Sequence, residues 1–225
     1  MGFFDFLKKK SNKQKLDYEP LDYDPNYIVE KLDEFGYFKY AALSDIPEIK
    51  GELLDSLTKL NYLSHVSFDK SPFNSKDYRH YHFDGEDLFE EGGFIWQLEA
   101  MKTLFDKMNF KIEISNHIET WDRQKGLNHL ITLNGKEYII FKNFDGYGWG
   151  EAAQRFAEII NDQLELQNKD EQLYLVNGGN DGNAVYLTDK QFSLLDPILK
   201  GTERPLKIND WCNVHQVARQ NYSQH

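Results

Sequence analysis

The feature that most constrains this chain is a change of hydrophobic period near residue 110. Before it, apolar residues recur at helical spacing. Ile28, Leu32 and Phe35 follow Asp24-Pro25 at i, i+4 and i+7 and stop at Gly36. Ile49, Leu53, Leu57 and Leu60 form a stripe behind Asp45, with Glu48 placed as in a capping box. Phe94, Leu98, Met101, Phe105 and Met108 repeat at 4, 3, 4 and 3, which predicts one continuous helix over about 94–108. Beyond 110 the alternation is by two. Ile112 and Ile114 alternate with polar neighbours, as do Leu127, His129, Ile131 and Leu133, and Asn134-Gly135 turns the chain into Tyr138–Phe141. That pattern predicts a three-strand antiparallel meander. A helix over about 150–167 follows, then short apolar strands at 173–176 and 184–187, then a helix opened by Thr188 with Gln191.

The expected architecture is therefore α+β: a helical N-terminal half, then an antiparallel sheet of about five strands packed with helices. Residues 1–24 read as a flexible arm and 25–200 as one composite domain, helical over 25–110 and sheet-forming over 111–200. Residues 201–225 read as an irregular or partly helical tail held by Trp211.

Charge narrows the function. The chain carries −11 overall, yet residues 1–15 hold five lysines against Asp5, so that arm is +4 and the remaining residues are −11 − 4 = −15. A body of that sign repels phosphate backbones, which argues against direct nucleic-acid binding, and it attracts basic protein surfaces. Phe3, Phe4, Phe6 and Leu7 ahead of Lys8–Lys10 suit at most a weak membrane contact through residues 3–10, and the competing reading is that they dock on the protein's own body or are disordered. No long apolar run or secretory pattern is present, so the expected location is cytoplasmic. One cysteine, Cys212, excludes an internal disulfide and a cysteine-rich zinc site.

Catalytic patterns are sparse, and no cofactor is called for. His80 and His82 would share one face of a strand, and with Asp84 they could ligate a metal for a hydrolase. The competing reading is a surface strand leading into a helix N-terminus, which Asp84, Glu86 and Asp87 suit electrostatically. Gly178–Gly182 lies between two strands and lacks a following lysine, so it reads as a turn, not a phosphate loop. His215, three residues after Cys212, reads as chance adjacency, and His129 as a hydrogen-bonded histidine on the sheet's inner face. The loop 144–150 interleaves glycines with Phe144, Tyr147 and Trp149, which serve either as interface rings or as a staple over the next helix.

The opening Met1–Lys10, the segment Asp84-Gly85-Glu86-Asp87-Leu88 with Gly92-Gly93, and Tyr174–Gly182 together resemble small acidic bacterial cytosolic proteins. Some of these are immunity proteins of polymorphic or contact-delivered toxin systems. The resemblance implies a non-enzymatic inhibitor that masks a cognate, basic toxin domain. The residues expected to meet that partner are Asp84, Glu86, Asp87, Tyr147, Trp149 and Asp181.

Overall fold

A computed structural model describes residues 23–59, 62–67, 75–201 and 203–219. Within it, Asp24 accepts the N–H of Asn26 at 2.9 Å and Pro25 fills the first turn of helix α1 (Pro25–Glu34). That is the expected cap, and Gly36 ends the segment at φ +70°. Helix α2 (Ile46–Thr58) starts where expected, but Asp45 makes no side-chain capping bond. The predicted capping box is absent because Asp45 N–H already donates to Ala42 O at 2.9 Å, and Glu48 instead takes the amino group of Lys76 at 2.7 Å.

Strand β1 (His80–His82) leads into a short helix α3 (Gly85–Phe89), capped by Asp84. The expected continuous helix over 94–108 is two: α4 (Gly93–Ala100) and α5 (Lys102–Met108). All five residues of its stripe are buried, as their spacing requires. The break falls at Met101, where the backbone opens to ψ −6° and the Tyr186 hydroxyl reaches Sδ at 3.0 Å.

The meander is β2 (Ile114–Asp122), β3 (Gly126–Leu133) and β4 (Lys136–Phe144), antiparallel in that order. Asn134 and Gly135 sit at φ +50° and +80°, the signature of the two-residue hairpin turn. β2 extends well past the expected residues 112–114. Its outer half is largely exposed, so hydrophobic alternation does not mark it.

Helix α6 (Trp149–Leu166), strands β5 (Glu171–Val176) and β6 (Asn183–Thr188), and helix α7 (Asp189–Leu195) complete the sheet part. Both bonds of the Thr188/Gln191 capping box form. The tail contributes α8 (Ile208–His215), with Trp211 and Cys212 buried.

The α+β class is as expected, but the strands form two three-stranded sheets, β1-β6-β5 and β2-β3-β4. Sheet β1-β6-β5 is covered on both faces, which explains why its strands read as continuous apolar runs. Tyr174, Val176, Val185 and Leu187 pack with α1, α2 and α7. Their neighbours Leu173, Leu175, Ala184 and Tyr186 pack the opposite way, with α4, α5, α6 and the meander.

Candidate functional site

Three separate chain segments meet around α3. Its first residue, Gly85, lies so close to the start of α6 that a Cβ there would sit 2.6 Å from the Trp149 carbonyl oxygen. Gly148 similarly abuts the Phe89 ring. On the other side Phe83 N–H donates to Gly182 O at 2.9 Å, which joins the approach to α3 to the 3-10 turn Gly179–Asp181. The structure thus brings Asp84, Glu86 and Asp87 to the same end of the molecule as Tyr147, Trp149 and Asp181. Asp84 spends Oδ1 on the Glu86 N–H at 2.8 Å, while Asp87 and Asp181 are exposed. Tyr147 is 88% exposed and Trp149 36%, and their rings meet edge-on at 6.2 Å. Trp149 thus keeps part of its ring exposed beside Tyr147.

Past α3 a concavity of about 320 Å³ is lined by Asp87, Glu90, Glu91, Gly92, Gly93 and Trp96. Carboxylates line it beside Trp96, which is 46% exposed. Such a notch suits a lysine or arginine side chain, which the carboxylates stabilise.

The candidate metal set His80, His82 and Asp84 does not converge. His82 and Asp84 lie together with Asp87, whereas His80 belongs to a different, fully buried cluster with His65 and Asp77. The reason is packing beneath α1. Tyr37 Oη lies 3.0 Å from His80 Nε2, 3.3 Å from His65 Nε2 and 3.1 Å from Tyr62 Oη. His65 Nδ1 donates to the Tyr62 carbonyl, so its Nε2 accepts. Burial pushes the His80 imidazole down to about 3, and His65 below its usual range.

The remaining motifs are structural. Gly178–Gly182 links β5 to β6 through the 3-10 turn, as a connection between strands should. Burial raises the Cys212 thiol to about 11, which disfavours the thiolate, and His215 packs on Trp211 at 5.0 Å. His129 is a buried, hydrogen-bonded histidine on the sheet, as its alternation implies. Its partner, His117, and the neighbouring Glu119 are residues that sequence reasoning missed. Their spacing, i and i+2 in a strand, was the available signal. It was hidden because the apolar residues of β2, Ile114, Ile118 and Trp121, do not alternate by two and the last two are exposed.

Compared with protein-family models, with curated proteins and with solved structures, the chain gives no match. None of the described helices is long and apolar enough to cross a membrane. The suggested membrane contact of residues 3–10 lies outside the described residues.

Proposed function

We propose that this chain is a cytoplasmic binding protein of the immunity type, which covers a basic surface of a cognate toxin domain and performs no chemistry of its own. The observation that carries this reading is the grouping of carboxylates and exposed rings at the α3 end. Asp84, Glu86 and Asp87 lie on or beside α3, whose Gly85 packs against the Trp149 backbone, Phe83 ties the approach to α3 to the Gly179–Asp181 turn, and Asp87 also lines the acidic notch. None of those four carboxylates has a lysine or arginine partner among the described residues, so their charge is available to another molecule. Rings supply contact area at small entropy cost, and the −15 body steers a cationic partner toward them. Many toxin domains that act on nucleic acids carry such a cationic surface.

The test is calorimetric titration of the full chain with the toxin domain encoded beside it, at low and high salt. Binding should weaken steeply as ionic strength rises, and Asp87→Lys and Tyr147→Ala should each weaken it further. An affinity indifferent to salt and to both substitutions would refute the assignment.

A further inference from the structure

We propose that His117, Glu119 and His129 hold a divalent transition metal of the zinc class, with a coordination position open to solvent at the edge of the β2-β3-β4 sheet. The site is built by strand register. Glu119 on β2 pairs directly with His129 on β3, and His117 pairs with Ile131, two residues along. Side chains two apart on a strand share a face, so His117 and Glu119 both lean toward His129. The β3–β4 register slips once on each side of His129, between Leu127 and His129 and again between His129 and Leu130. Bulges of this kind re-aim a side chain without unravelling the sheet.

The donor atoms converge. His117 Nε2 lies 2.9 Å from His129 Nε2, and the rings meet edge-to-face at 5.0 Å. The Glu119 carboxylate lies 3.8 Å from His117 Nε2, and one donor atom from each of the three residues lies within 4.8 Å of the other two. Two imidazoles and one carboxylate form the mixed nitrogen and oxygen set that zinc and its neighbours prefer, whereas calcium and magnesium favour oxygen alone. Around a tetrahedral zinc with bonds of about 2.0–2.1 Å, two nitrogens stand about 3.3 Å apart. A ring rotation of a few tenths of an ångström at His117 would reach that spacing.

Support and access are both present. Gly92 N–H donates to Glu119 Oε2 at 2.9 Å and so holds the carboxylate in place from α4's N-cap. Phe94 and Phe141 pack against the His129 ring, which is 1% exposed and has little freedom to turn away. The His117 side chain is 22% exposed and provides the route for an ion to enter. The other histidine cluster lacks this combination, since the Tyr37 hydroxyl occupies the space between His65 and His80.

The test uses the full chain without an affinity tag, stripped with a chelator and titrated with zinc chloride by calorimetry. Wild type should saturate at one zinc per chain, and zinc should shift the imidazole NMR resonances of His117 and His129 together. Outer contacts to metal ligands cost about 10- to 100-fold in affinity, so His117→Ala and Glu119→Gln should each weaken binding by at least about tenfold. His82→Ala should leave it unchanged. Glu119→Gln keeps an acceptor for Gly92 N–H, and melting temperatures in zinc-free buffer confirm that each variant is folded. Absence of saturable binding in wild type, unchanged affinity in both site variants, or loss confined to His82→Ala would overturn the assignment and leave the His117–His129 contact as a plain hydrogen bond.

Discussion

Arg79 Nη1 donates to the Tyr186 carbonyl at 2.8 Å, which fastens the residue before β1 to the central strand of its sheet from within the core. The same guanidinium reaches Tyr37 O at 2.5 Å and Gly36 O at 3.1 Å, and the residue is 0% exposed. Tyr37 and Tyr40 lie against its cationic face at 5.2 and 4.7 Å. One side chain thus ties the end of α1 to the sheet. A planar fork with fixed donors can satisfy several carbonyls at once, which a lysine cannot.

Arg79→Met should consequently take this donor from the two buried carbonyls of Tyr37 and Tyr186, while Gly36 O keeps the Lys39 N–H at 3.2 Å. Each such loss costs about 1–3 kcal/mol, so the variant should be destabilised by at least about 2 kcal/mol in urea unfolding. Arg79→Lys should fall between the two. A loss under about 1 kcal/mol for Arg79→Met would contradict the role assigned to it.

The buried His80 makes stability sensitive to mild acid. Asp77, Tyr37, Tyr62 and His65 face it, and burial pushes its imidazole from 6.5 down to about 3. Between those values the unfolded chain binds a proton that the folded chain refuses, so stability is intact above about pH 6.5 and falls as pH drops toward 3. The slope from this group is about 1.4 kcal/mol per pH unit. His80→Gln should flatten the pH dependence of urea unfolding over that window by a similar amount. An unchanged slope would show that other groups set the acid sensitivity.

Gly85 is the point where α3 touches α6 backbone to backbone. A methyl group there meets Trp149 O at 2.6 Å and its carbonyl carbon at 2.9 Å, neither of which is a flexible side-chain end. Gly85→Ala should cost about 1–3 kcal/mol in thermal unfolding and weaken the proposed toxin-domain binding, because it separates the acidic segment from Trp149. Gly51→Ala is the control, since no atom lies within 4 Å of its added carbon.

Tyr147→Ala should leave stability within about 0.5 kcal/mol of wild type, because the ring is 88% exposed. If the ring is a hot spot of the proposed interface, its loss should cost about 2 kcal/mol of binding, roughly 30-fold in Kd. Stability and affinity are measured on the same sample, which separates a folding defect from a contact defect.

What the linear chain determined was set by local physics. The Asp24-Pro25 start of α1, the Thr188/Gln191 capping box, the Asn134-Gly135 hairpin and the α+β class all depend on residues close in sequence. The apolar stripes named most of the core because burial follows periodicity, although Phe35, Ile112 and Ile114 are only half-buried and Leu60 lies outside the described residues. Tertiary structure alone decided three other matters. β1 pairs with β6, about 100 residues away, and the strands divide into two sheets, since strand pairing is a long-range choice that local alternation does not encode. His80 joined Tyr37 and His65 instead of Asp84, because a helix from the N-terminal half packs over that face. His117, Glu119 and His129 met only through the register of β2 on β3, and the α3 end drew its carboxylates and rings from segments joined by backbone contacts at glycines. A sequence records which groups are available, and the distances between them exist only once remote segments have packed.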